Sequence, residues 1–254
     1  MNGLWYNCCE NGVYMRDDQL SVQSMDFAVS TVIFATQKGM DIHMNNLHIF
    51  ETLPKGFRTV ETAEDREKLA GTISRAFGDC FYPIPTYPIS HEEYLKLYYE
   101  LGLQWIDNAI KKGVVVANED FSGTLILTKM KDCLDSGKLI NEDKTYDFLS
   151  PEAKANVSYI FAYTYDDEKY LEYNEDDIYI EIFAVDTERH GEKIGSRLMR
   201  GLFDECDKAK KDILLLTSIA KNVEMYGHFG FEVMREHHVA EISSDSYYLK
   251  RKHR

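Results

Sequence analysis

Between residues 178 and 209 the chain changes periodicity twice within a few residues, and few folds accommodate the result. Ile178 to Val185 is an apolar, β-branched run of strand length, and His190 to Ser196 is a short loop holding Gly191 and Gly195. Leu198, Leu202, Cys206 and Ala209 then recur on one face of a helix. A strand that breaks through a glycine-bearing turn into a helix presents backbone N–H groups that have no intrahelical acceptor and carry a partial positive charge. Such a helix start binds phosphate groups by main chain alone. Asp212 to Ile219 follows as a nearly continuous apolar run bounded by charge, the pattern of a strand buried on both faces.

The remaining segments are read from caps and punctuation. Phe57 to Val60 is a short strand, and Thr62 is the N-cap of a helix whose Leu69, Ile73, Ala76 and Phe77 fall at helical spacing. Ser90 and Glu93 form a capping box for a second helix that runs to Lys112 and stops at Gly113. Pro83 to Pro88 is a proline-punctuated loop between the two helices. Residues 113–117 and 124–128 are β-branched runs joined by 118–123, an antiparallel hairpin. An insertion of about 131–176 comes next. Within it Ser150 and Pro151 start a helix over much of 151–165, and an acidic, tyrosine-rich stretch covers 165–177. A short helix from about Asn222, a strand from Phe231 and a last strand near 247–249 complete the order β-α-α-β-β-α-β-α-β-α-β-β. Residues 1–55 differ in texture and read as an N-terminal extension without assignable chemistry, with a strand around 30–36. Residues 56–254 read as the main domain.

Charge narrows the partners. Twenty-nine basic against 43 acidic residues give a net charge of −14, whereas nucleic-acid binding depends on clustered Lys and Arg that displace counterions. DNA, RNA and anionic membranes are therefore not expected partners. Phe27 to Ala35 is too short to cross a bilayer, which takes roughly 20 apolar residues, and it follows Asp17, Asp18 and Asp26 rather than a basic segment. Neither a signal peptide nor a membrane anchor is expected. The five cysteines are odd in number, scattered and without a CxxC pair, which fits a reducing cytoplasm. No metal site is expected either, because His237 and His238 are adjacent on a strand and point to opposite faces.

His190-Gly-Glu-Lys-Ile-Gly195 and, about thirty residues on, Asn222-Val-Glu-Met-Tyr226-Gly-His-Phe-Gly230-Phe231 together resemble the GNAT superfamily of acyl-CoA-dependent N-acetyltransferases. The resemblance covers roughly residues 57–250. It implies an α+β fold with a mixed, mostly antiparallel central sheet, a splayed strand pair and helices on both faces, here with an N-terminal extension and an inserted helix. The family loop reads Arg/Gln-x-x-Gly-x-Gly/Ala. Gly195 agrees, His190 stands where Arg or Gln is usual, and Lys193 stands where the first Gly is usual; that second departure matters if the position needs a positive φ.

What the resemblance implies chemically is acetyl-CoA as co-substrate and no metal. The diphosphate is expected on His190, Gly191, Glu192, Lys193, Ile194, Gly195 and Ser196. The backbone at Phe183 and Val185 in the splayed strand is expected to hold the pantetheine arm, with Asn222 bridging to it. Tyr226 is the expected catalytic acid: a thiolate whose solution pKa is near 8.5 must leave, and a phenol with pKa near 10 protonates it or donates a hydrogen bond to it. A backbone N–H of the strand can also stabilise the charge that develops on the thioester oxygen. By strand alternation Glu181 is expected on the face of Phe183 and Val185, as the base for the ammonium proton. The acceptor is expected to be a small-molecule primary amine, favoured in cationic form by Glu181 and the acidic run, with direct transfer in a ternary complex. Two other readings stay open: a protein or peptide N-acetyltransferase, and an acyl-CoA-binding sensor module without turnover. The sequence leaves the oligomeric state open, a homodimer included.

Overall fold

The structure, a computed structural model, describes Leu53 and residues 56–78, 89–133, 147–155, 172–240 and 244–254. The readings placed on residues 30–36, 83–88 and 156–171 lie outside the described residues.

Seven strands form one sheet: β1 (Phe57–Arg58), β2 (Val114–Asn118), β3 (Gly123–Lys129), β4 (Ile178–Val185), β5 (Ile213–Thr217), β6 (Glu232–Val239) and β7 (Ser244–Arg251). Their spatial order is β1-β2-β3-β4-β5-β7-β6. Only β4 and β5 run parallel; the other neighbours are antiparallel. The helices are α1 (Ala63–Gly78), α2 (His91–Lys112), the short α3 (Met130–Cys133), α4 (151–155), α5 (Ile194–Ala209) and α6 (Ala220–His228). The mixed, mostly antiparallel sheet expected from the sequence is present, with three adjustments. The first strand is only two residues long, the helix expected from Asn222 starts at Ala220, and the last strand extends from Ser244 to Arg251.

Alternation along β2, β3 and β4 gives the sheet two apolar faces. Val115, Ala117, Ile126, Ile182 and Ala184 pack under α1 and α2 with Leu69, Ile73 and Ile106, all three fully buried. Val114, Val116, Leu125, Leu127, Ile178 and Ile180 pack on the other face against Ile194, Leu198 and Leu202 of α5 and Tyr226 of α6. Burying each of these large side chains contributes about 1.5–3 kcal/mol. Arg66 on α1 grips Asp107 on α2 through two bonds of 2.6 Å.

Local caps fix where the helices start. Thr62 Oγ1 accepts from the Asp65 N–H at 3.1 Å, and Asp65 Oδ2 accepts from the N–H groups of Glu61 and Thr62. Ser90 and Glu93 form the capping box of α2. Glu93 also accepts the Ser150 N–H at 2.9 Å, tying the start of α2 to the start of α4. The Ser150 N–H first, with the bonds from the Ser150 and Ser90 groups, holds the Glu93 carboxyl at about 2 against the opposing effect of burial. A carboxylate depressed on folding stabilises the native state above its unfolded pKa, and the effect is lost as pH falls through the folded value. Thermal melts should therefore show wild-type Tm dropping more steeply than that of Glu93→Gln as pH falls from about 4.5 to about 2. Parallel curves would mean that the bonds to Ser90 and Ser150 do not persist in solution.

Candidate active site

The sheet opens in its middle. Pairing between β4 and β5 is confined to Ile178 with Ile213, Tyr179 with Leu214 and Ile180 with Leu215. Beyond that point Glu181 to Val185 have no partner on β5, so backbone groups on that side of β4 face the gap. The strand is also bulged: Ile180 pairs with Leu127 and Ile182 with Ile126, so the register skips Glu181. The extra residue changes which face each half of β4 presents. Ile178 and Ile180 face α5, and so do Phe183 and Val185, while Ile182 and Ala184 face α1 and α2.

Glu181 consequently departs from expectation. Its carboxylate accepts from Thr128 Oγ1 at 2.8 Å, and Thr128 lies two residues beyond Ile126, on the α1/α2 face of β3. Strict alternation puts Glu181 with Phe183 and Val185; the bulge turns it to the opposite face.

After β4 the chain makes one 3-10 turn (Thr187–Arg189) capped by Asp186, whose Oδ1 accepts the Glu188 N–H at 3.2 Å. Asp186 is buried, and its other oxygen is held by Arg75 of α1. Burial opposes ionisation of Asp186, but Arg75 and the Glu188 N–H outweigh it and keep the carboxyl below its ordinary range. Arg189 bridges Asp120, in the β2–β3 turn, and Glu192. The Ser122 hydroxyl first, and then Arg189, hold the Asp120 carboxyl near 2 against burial. Thr72 of α1 donates to the Phe121 carbonyl of that same turn at 2.8 Å. One network thus ties α1, the β2–β3 turn and the loop before α5.

The loop ends in two left-handed residues, Gly191 at φ +91° and Lys193 at φ +60°. Lys193 does adopt the conformation that its departure from the family pattern put in question. It flanks α5 without a side-chain cap. The first bond of α5 runs from the Arg197 N–H to the Lys193 carbonyl at 3.0 Å, so the N–H groups of Ile194, Gly195 and Ser196 precede the ladder and are available to an anion.

A cavity of about 510 Å³ lies where this loop, the open edge of β4 and α6 meet. Phe183, Val185, His190, Gly191, Lys193, Ile194, Gly195, Ser196, Asn222 and Tyr226 all line it. Glu192 does not; its carboxylate is spent on Arg189. Ala76 and Phe77 of α1, Ala184 of β4, Arg189, Ile219, Met225 and Phe229 complete the lining, and sequence reasoning found none of these. Asp186 and the Arg75 that grips it were missed too. Asp186 had a local signal, an Asp at the end of a strand that can bond its own backbone two residues on.

Tyr226 is 7% exposed, its ring 6.4 Å from that of Phe183 and 5.6 Å from that of Phe231. Among the described residues none bonds its hydroxyl, and burial pushes its pKa well up, so the phenol stays protonated throughout the working pH range. Asn222 donates weakly to Thr217 Oγ1 at 3.4 Å. Arms, loop and phenol suit an extended ligand with an anionic middle: amides at the helix start for a diphosphate, open strand groups for an amide-bearing arm, and a hydroxyl at the far end. Among the described residues no group of three or more His, Cys, Asp and Glu could hold a metal ion. No helix among them is long and apolar enough to cross a membrane.

A central sheet split between two parallel strands, with an uncapped helix start at the split, is the arrangement that the sequence resemblance implied. Residues 140–243, the stretch that holds β4, the loop, α5 and α6, match the family model described as acetyltransferase (GNAT) domain. No curated protein matches the sequence. Solved structures similar to the chain include an N-acetyltransferase from Staphylococcus aureus Mu50, at 15% identity over 76% of this chain and 98% of that one with a TM-score of 0.47. A mosquito arylalkylamine N-acetyltransferase like 5b matches at 16% identity over 77% of this chain and 98% of that one, also with a TM-score of 0.47.

Proposed function

We propose that this protein transfers the acetyl group of acetyl-CoA directly to the primary amine of a small molecule, with residues 56–254 as the catalytic domain. The observation that carries the reading is the convergence of three features on one cavity: the free amides of Ile194 to Ser196, the unpaired edge of β4 at Phe183 and Val185, and the buried hydroxyl of Tyr226. The loop amides from Gly191 to Ser196 take the diphosphate, and Phe183, Val185 and Asn222 take the pantetheine arm. The amine nitrogen bonds to the acetyl carbon as the carbon–sulfur bond breaks. Its proton passes to Glu181, directly or through water, and Tyr226 donates a hydrogen bond or its proton to the departing sulfur. Lys193 adopts a left-handed backbone despite its side chain, which supports cofactor binding under either reading, and Tyr226 in the cavity favours turnover over a binding-only module.

Support for a cationic acceptor rests on Glu181 and on Glu172 and Glu175, the exposed carboxylates in the described part of the acidic run. In the described part of the acidic run, Asp176 is paired with Lys129 and Asp177 lies beside Lys250, so neither offers free negative charge. Calorimetric titration with acetyl-CoA, paired with turnover on polyamines, aminoglycosides, amino acids and peptides, tests the proposal. The expected result is saturable binding and turnover on at least one small amine. Absence of CoA binding overturns the family chemistry at this cavity, binding without turnover supports a sensor, and turnover on peptides alone supports a protein acetyltransferase.

A further inference from the structure

Ser218 follows β5 immediately and is 7% exposed, and its Oγ is buried without a hydrogen-bond partner among the described residues. Its neighbour does not share this state: Thr217 Oγ1 accepts from the Ile219 N–H at 3.3 Å and from Asn222 at 3.4 Å. A buried hydroxyl without a partner forfeits its bonds to water and gains nothing in return, so native proteins rarely keep one unless another molecule completes it.

Its place indicates which molecule. Ile213 and Leu215 pack toward α5, whereas Leu214 packs with Met130, Cys133 and Tyr179 on the other side of the sheet. Carrying that alternation past Thr217 puts Ser218 on the Leu214 side, away from the diphosphate loop. Glu181 is on that side too, through its bond with Thr128. The two residues therefore flank the β4–β5 gap on the side of the sheet away from α5 and the diphosphate loop, a carboxylate on one strand and an unpartnered hydroxyl on the other.

We infer that Ser218 is a positioning residue for the acceptor, its hydroxyl accepting an N–H of the incoming amine while Glu181 takes the proton that leaves. This deepens the acetyl-transfer reading and rests on it. A primary amine held by one N–H has its lone pair fixed relative to the strand edge, where the thioester would lie, and Ser218 itself neither gains nor loses a proton. A carboxylate paired with a single hydroxyl suits a primary amine on a small carbon skeleton.

Ser218→Ala tests the assignment, with the small amine that the wild-type protein acetylates fastest. The acceptor KM should rise roughly tenfold, as expected for losing one hydrogen bond to a polar ligand group. The acetyl-CoA Kd by calorimetry should stay unchanged, and Tm should hold or rise because an uncompensated polar atom has been removed. An unchanged acceptor KM overturns the assignment. An equal loss of acetyl-CoA affinity also overturns it, by making Ser218 a contact to the pantetheine arm. If the wild-type protein turns over no amine, the acetyl-transfer reading fails first and this assignment falls with it.

Discussion

Tyr226→Phe should lower kcat by about 10²–10⁴-fold, the range typical of a positioned proton donor, while leaving the protein folded. The ring is held by Phe183 and Phe231, and phenylalanine keeps both contacts. The hydroxyl has no bonding partner among the described residues, so removing it breaks nothing inside the protein. Thermal melts should move little and acetyl-CoA affinity should be nearly unchanged, because the diphosphate amides lie on another helix. The phenol is pushed up by burial, so no acid–base limb of the pH–rate profile near neutrality should belong to it, and Tyr226→Phe should scale the profile without shifting it. An unchanged kcat removes Tyr226 from the chemistry; a shifted profile means that it titrates near neutral pH.

The second large effect concerns Gly195. Its absent side chain leaves room for β4: a Cβ there would sit 2.8 Å from Phe183 Cζ and 3.3 Å from Val185 Cγ2. Gly195→Val should therefore push α5 off the strand edge. Overpacking of this kind costs about 1–3 kcal/mol, and because α5 carries the loop amides, acetyl-CoA affinity should fall with stability. The coupled loss is the signature, read by urea denaturation and calorimetry on the same preparation. Lys193→Gly provides the contrast. It relieves a left-handed side-chain conformation that costs about 1–2 kcal/mol, so the protein should be slightly more stable and still bind acetyl-CoA. Lost binding in a folded Lys193→Gly protein would make the lysine side chain a ligand contact.

What could be read in advance follows sequence distance. The caps at Thr62 and at Ser90 with Glu93 need only three residues of context, and they are present as expected. The cavity's main parts were legible because each is a contiguous segment, strand to loop to helix, or a spacing of four along one helix. The partners of the loop were not legible. Arg75 and Asp186 are 111 residues apart, and Asp120 and Arg189 are 69 apart; nothing local marks either pair. The face of Glu181 was misread for another reason. Alternation assumes an unbroken ladder, and one inserted residue, which no composition signal announces, reverses the parity of everything after it. Gly195 was read for its ligand, and the structure adds its close approach to the protein's own strand at Phe183 and Val185.

That inserted residue also governs how the chemistry can vary. Glu181 has no paired position across the ladder, and its side chain meets β3 through the Thr128 hydroxyl, which can donate to or accept from other polar groups. Its neighbours Ile182 and Ile180 are locked into opposite cores, and a substitution at either is paid for in stability. The bulge therefore separates two demands that a regular strand would join at one position. The polar group at position 181 can be exchanged, for a histidine, an amide or nothing at all, while the sheet on both sides keeps its packing. A scaffold built this way can change the chemistry at its open strand edge without first having to be refolded around a new core.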